Sequence, residues 1–279
     1  MPKANLPETH PNATVPAATL DAILRSTRDR VARLRPRARE LERRAGAAPA
    51  PPAFAPALAG AAVGVIAEVK RRSPSAGAIR DDLDPVAHAR AYAQGGAVAV
   101  SVLTDEPYFG GSLDDLARVA AAVAVPVLRK DFIVDVLQLY EARAAGASAV
   151  LLIARALAGA ELAALARAAC ELGLGVVVEA HSEAELDAAL AVAPTAVGVN
   201  SRDLATFTVD LALAERLLAR VPPGVPAVAE SGVETRADVE RLAAAGADLV
   251  LVGTSVARSA DPAAAVRALA GVPRRGRAP

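Results

Sequence analysis

The chain has 279 residues, 53% of them hydrophobic and 22% charged, the balance of a globular protein with a sizeable core rather than of a disordered chain. Thirty-one basic residues meet 31 acidic ones, and the resulting net charge of zero excludes a dedicated nucleic-acid or anionic-membrane binder, which needs a basic excess. A single cysteine, Cys170, excludes an internal disulfide and a cysteine-only metal site; its spacing in AALARAACELG predicts a buried helix position.

In chain order, residues 1–16 carry Pro and Asn and no apolar run of the kind a secretory signal needs, so a disordered tail and a cytoplasmic chain are expected. Apolar residues then recur at three- and four-residue steps from Ala17 to Arg44 (Leu20, Ile23, Leu24, Val31, Leu34, Leu41), which predicts a helix kinked or split by Pro36 near Leu34. Its Arg-rich run, 25–44, is interleaved with Asp and Glu and reads as a solvated face. A Pro/Ala linker follows over 45–60. The body beyond it alternates short β-branched runs with longer amphipathic stretches. The runs are VGVIAEV (63–69), AVAVSVL (97–103), VPVLR (125–129), ASAVLLI (147–153), LGVVVE (174–179), AVGVN (196–200), VPAVAE (225–230) and ADLVLVG (247–253). Between most of them lie helix patterns such as SLDDLARVAAAVA and VLQLYEARAAGA. None of the apolar stretches is long and unbroken enough to span a membrane. Eight such units over about 210 residues predict an α/β fold, a (β/α)8 TIM barrel over 63–272. The N-terminal helical extension and linker take 17–62, and 273–279 is expected to be flexible. An open doubly wound sheet is the alternative, but its Gly-rich dinucleotide turn is replaced by EVKRRSPSAG after the first run.

Arginine supplies positive charge almost throughout: of the 31 basic residues only Lys3, Lys70 and Lys130 are lysine. Lys3 lies in the tail. The two lysines of the body are candidates for chemistry that arginine performs poorly, namely giving up a proton. In a barrel, functional groups project from the C-terminal ends of the strands, and the polar residues collect there: Glu68 and Lys70, Arg129-Lys130-Asp131, Glu179, Asn200-Ser201-Arg202, Glu230-Ser231-Gly232 and Gly253-Thr254-Ser255. Two-residue periodicity puts Glu68 and Lys70 on one face. The small residues after the seventh and eighth runs suit a phosphate cup, where backbone N–H groups approach an anion. His88 and His181 join no metal-ligand spacing, and neither an HExxH pair nor an aspartate-rich loop implies a metal site.

The motifs IAEVKRRSPSAG (66–77), SVLTDEPYFGGSLDDL (101–116), PVLRKDFIVD (126–135), YEARAAGASAVLLI (140–153), VGVNSRDLATFTVD (197–210), AESGVETRADV (229–239) and LVGTSV (251–256) resemble, in order and spacing, the indole-3-glycerol phosphate synthase family. Two departures are Val136, where the family often has proline, and Pro36 within the N-terminal helix. The resemblance implies ring closure of 1-(2-carboxyphenylamino)-1-deoxyribulose 5-phosphate to indole-3-glycerol phosphate, with loss of carbon dioxide and water. It implies Lys130 as general acid, Glu179 as base, and Lys70 as carboxylate ligand and second proton donor, the order of the two lysines being open. Glu68 and Asn200 would hold lysines and hydroxyls, with Arg202, Glu230 and Ser231 in support. Ser73, Gly232, Gly253 and Thr254 would grip the phosphate, and Phe109, Leu128, Phe132 and Leu151 would line a slot for the aromatic ring. No cofactor or metal is called for, because regained aromaticity drives the decarboxylation. The implied partners are a small phosphorylated substrate and other enzymes of the tryptophan pathway, with no nucleic acid and no membrane. The N-terminal segment is expected to cover the barrel mouth.

Overall fold

A computed structural model describes residues 19–203 and 208–277; the tail expected at 1–16 lies outside them. Eight parallel strands close into a barrel: β1 Gly64–Val69, β2 Ala99–Leu103, β3 Val127–Lys130, β4 Ala149–Ile153, β5 Gly175–Ala180, β6 Ala196–Asn200, β7 Ala227–Glu230 and β8 Leu249–Val252. Each pairs with its sequence neighbour, and β8 returns to β1 with Leu249 opposite Gly64. Both faces of the strands are buried, which is why they read as continuous Val, Ile and Leu runs rather than as alternations. Alternate residues serve two cores. Val150 and Leu152 face the helices, whereas Ile66, Leu128, Leu151, Val177, Val228 and Leu249 fill the barrel axis. Helices start on side-chain caps close to the barrel mouth. Asp135 accepts from Leu137 N, Ser182 from Glu185 N and Thr235 from Asp238 N, each cap contributing about 1 kcal/mol. Among the described residues no helix is long and apolar enough to cross a membrane.

The N-terminal extension is split as Pro36 predicts. Helix α1, Leu20–Leu34, ends in a 3₁₀ turn, Arg35–Arg37, and helix α2, Ala38–Ala47, continues beyond it and packs on the helix Val136–Ala144. The stretch 45–60 is more than a linker. It carries a short helix, α3 (Phe54–Ala57), whose Phe54, with Leu58, is buried at the N-terminal end of the barrel interior. Gly175 leaves the space: a Cβ there would stand 2.9 Å from the Phe54 ring. The C-terminal segment, expected to be flexible, is tied down as far as Arg277. Arg274 donates to the Ala62 and Leu58 carbonyls, while Arg277 pairs with Asp248 at 2.8 Å and donates to Val225 O at 2.6 Å. Cys170 is exposed on the helix Gly159–Glu171, not buried as its spacing suggests; that helix turns Leu162, Leu165, Ala166 and Ala169 inward instead.

Candidate active site

The C-terminal ends of the strands open into a cavity of about 410 Å³. Its wall gathers Glu68, Lys70, Ser73, Phe109, Lys130, Phe132, Leu151, Glu179, Asn200, Arg202, Glu230, Ser231, Gly232, Gly253 and Thr254, which is every expected site residue except one. Leu128 does not reach it. Lying two residues before Lys130, it points inward as expected but one layer deeper, fully buried in the axial core. Ile153 and Leu251 are further apolar residues of the axial cluster at the level of the cavity.

Lys130 stands between two carboxylates, 2.7 Å from Glu230 Oε2 and 3.2 Å from Glu179 Oε2. Burial alone would lower its pKa, but Glu230, Glu179 and Glu68 outweigh that and hold the ammonium above the usual lysine range. For Glu179 burial acts upward, yet Lys130, His181 and Asn200 keep its carboxyl below the usual carboxylate range. Glu230 goes the other way. Burial pushes its pKa up to about 7 against the pull of Lys130, and neighbouring Glu179 adds to the rise. The second lysine pairs within its own strand end, with Lys70 Nζ 2.7 Å from Glu68 Oε1. One oxygen of Glu68 (Oε2) and one of Glu230 (Oε1) are buried with no hydrogen-bond donor. Such acceptors are costly unless a ligand's donors meet them.

Two glycines make this packing possible, and only one was visible beforehand. At Gly253 a Cβ would stand 2.5 Å from Glu68 Oε1 and 3.0 Å from Lys70 Nζ, so that position makes room for the ion pair. At Gly198 a Cβ would stand 2.2 Å from Glu230 Oε1; in the run AVGVN it reads as an ordinary strand residue. The turn after β7 is unusual too: Ser231 has φ 68° and Gly232 φ 73°, a left-handed pair costing the serine roughly 1–2 kcal/mol. Ser201 Oγ holds that turn by donating to the Glu230 and Ser231 carbonyls, at 3.1 and 3.2 Å. The Asn200 amide oxygen accepts from Arg202 N at 3.0 Å, and Ser73 Oγ accepts from Ala76 N at 3.2 Å. The Phe109 and Phe132 rings lie tilted, with centroids 6.1 Å apart.

Behind Lys130 sits a buried scaffold. Arg129 donates to Gln138 O at 2.6 Å, Thr104 Oγ1 at 3.0 Å and Asp131 Oδ2 at 2.8 Å. Arg30 of α1 reaches Asp131 Oδ1 at 2.8 Å, and Arg35 reaches Asp135 at 3.1 Å, so the extension is fastened to the loop that follows Lys130. Burial would raise the Asp131 pKa, but Arg129, Arg30 and Thr104 bring it down to about 2. Arg30 is thus a pairing residue within a stretch read as solvated. No α1 side chain lines the cavity; the helix lies against its side, with Ile23 and Leu24 in the same apolar cluster as Phe132 and Ile153. His181, set aside in sequence as a non-ligand at a helix start, is buried beside Glu179.

Sequence comparison decides among the enzymes such a mouth could house. The indole-3-glycerol phosphate synthase family profile matches residues 20–269. The chain belongs to that family. It is 47% identical over 256 residues to indole-3-glycerol phosphate synthase from Rhizorhabdus wittichii, covering 90% of this chain and 97% of the relative. It is 52% identical over 227 residues to indole-3-glycerol phosphate synthase 2 from Streptomyces coelicolor, covering 81% and 88%. Among solved structures, a 3-hexulose-6-phosphate synthase (TM-score 0.59, 20% identity, 74% of this chain and 98% of that one) shares the fold. So does a tryptophan synthase chain from M. tuberculosis (TM-score 0.59, 17% identity, 77% and 97%). With family membership comes a carboxy-lyase reaction of tryptophan biosynthesis on a small phosphorylated substrate.

Proposed function

We propose that Lys130, Glu179 and Lys70 carry the family's ring closure in this cavity, converting 1-(2-carboxyphenylamino)-1-deoxyribulose 5-phosphate to indole-3-glycerol phosphate. The aromatic carbon attacks the substrate ketone while Lys130 gives its proton to the developing alkoxide, a stronger base than the amine left behind. The carboxylate then leaves as carbon dioxide and the ring regains aromaticity. The new hydroxyl leaves as water with a proton from Lys70, and Glu179 takes the carbon-bound proton. Two protons are donated and one is taken up, so each turnover draws one net proton from solvent, matching the carboxylate charge lost as carbon dioxide. Lys70 meets the substrate carboxylate before it leaves, and Phe109, Phe132 and Leu151 hold the ring.

The observation that carries this reading is the Glu179–Lys130–Glu230 cluster, a half-buried ammonium between two buried carboxylates whose pKa values are driven apart. Such a divergence assigns separate acid and base tasks to neighbouring groups. The unsatisfied oxygens of Glu68 and Glu230 suit the donor hydroxyls of a ribulose chain. Ser73, Gly232, Gly253 and Thr254 offer the phosphate a rim of small groups, where the first N–H groups of the helix Thr254–Arg258 lack intrahelical acceptors. Arg202, Asn200 and Ser231 complete the contacts. The substrate and the product indole absorb differently, so turnover is followed directly. Glu179→Gln should lower kcat roughly 10²–10⁴-fold with KM changed only a few-fold. A kcat within a few-fold of the unmodified protein would remove Glu179 from the mechanism.

A further inference from the structure

His181 is a buried titratable group beside the catalytic cluster that this mechanism leaves without a task. It follows Glu179 by two residues, just past the end of β5, and each side chain is only 3% exposed. Its Nε2 lies 3.2 Å from Glu179 Oε1, an ion-pair contact outside hydrogen-bond alignment, and has no other partner. Its Nδ1 lies 3.2 Å from Glu185 Oε2, which also accepts from His181 N at 2.9 Å. Glu185, on the helix Glu183–Ala191, accepts in turn from Arg155 Nε at 2.9 Å, and Arg155 reaches Asp203 Oδ2 at 3.2 Å. Exposure rises along this row, from 3% at His181 through 16% and 31% to 40% at Asp203. Charges therefore alternate from the cavity to the surface. Beyond Glu179 the row meets Lys130 from β3, Asn200 from β6 and Glu230 from β7.

We propose that His181 is a positioning residue for Glu179: clamped as an imidazolium between Glu179 and Glu185, it orients the carboxylate and keeps it ionised while Lys130 gives up its proton. The proposal rests on Glu179 acting as the base. Lys130, 3.2 Å from Glu179, is the group that turns neutral in the first step; without a second cation the carboxylate would be left facing Glu230. His181 supplies that cation from a place the substrate does not occupy. Burial opposes its charge, but contacts with Glu179 and Glu185 raise its pKa to about 9, so it stays protonated at neutral pH. Glu185, held low by His181 and Arg155 against its burial, completes the clamp.

The chain has three histidines, which makes the imidazole signals assignable by difference with His181→Gln. The His181 titration should have its midpoint well above 6.5 and should fall by about one unit or more in Glu179→Gln, since removing a neighbouring charge is felt by both partners. In His181→Gln the acidic limb of the kcat/KM profile should move up by about one pH unit. The loss of a nearby cation makes the base easier to protonate, so activity disappears at a higher pH. Glu185→Gln leaves both groups in place and should lower the His181 midpoint by removing one of its two carboxylate partners, which keeps the test available if His181→Gln folds poorly. A His181 midpoint near the ordinary value and indifferent to Glu179→Gln and Glu185→Gln, or a His181→Gln profile that superimposes on the unmodified one, would overturn the proposal. Full turnover in Glu179→Gln would overturn it by a different route, removing the base while leaving the titration coupling visible.

Discussion

Three carboxylates, Glu68, Glu179 and Glu230, and two ammoniums, Lys70 and Lys130, share one small buried volume, and the imbalance decides how each behaves. Glu230 takes the strain. Its folded-state pKa of about 7 lies above the ordinary 4.5, so its contribution to stability is fully present below about pH 4.5 and lost as pH rises through about 7. Glu230→Gln imitates the protonated form, so its melting temperature relative to the unmodified protein should be more favourable at pH 8.5 than at pH 5. An equal difference at both values would contradict the raised pKa. At this scale the sequence was informative where chemistry and position coincide. Lys70 and Lys130 stand out against a background of arginine, and their carboxylate partners also lie at strand ends. Gly198 was not legible, because the space it makes for Glu230 arises only when β6 and β7 are laid side by side; His181 stands two residues from Glu179, so its contact is local and that spacing was the signal that could have found it.

Among the elements, the strands and the Pro36 break could be read directly, because β-branched runs and a missing backbone N–H act locally. The stretch 45–60 could not, since its Pro and Ala content disguises one aromatic anchor. Phe54 seals the barrel end opposite the cavity, so Phe54→Ala should destabilise the fold by roughly 3–5 kcal/mol in urea unfolding. A cost below about 1 kcal/mol would show that this segment rests on the barrel without sealing it. Leu128 illustrates the complementary difficulty. Periodicity tells which face a residue takes but not its depth, and depth separates the core layer from the catalytic layer above it. The extension α1 meets the site through Arg30 and Asp131 rather than by lining the cavity, a pairing 101 residues apart in sequence with no local signature.

For the molecule as a whole, one end of the barrel is plugged and the other holds the chemistry, so ligand effects should concentrate at a single face. Inorganic phosphate should compete with substrate and slow amide exchange in the loops around Gly232 and Gly253. Protection centred on other loops would show that the phosphate site is misplaced. The overall composition supplies the most direct test of the catalytic reading, because this chain uses arginine for charge nearly everywhere and keeps lysine at two strand ends. Lys130→Arg preserves the charge between Glu179 and Glu230 while replacing a proton donor with a group that scarcely gives one up. Turnover and melting temperature should be measured for this variant beside Lys70→Arg, which keeps a carboxylate ligand and should lose less. If Lys130 is the general acid, Lys130→Arg should remain folded and lose about 10²-fold or more in kcat; a folded Lys130→Arg protein with nearly full activity would contradict it.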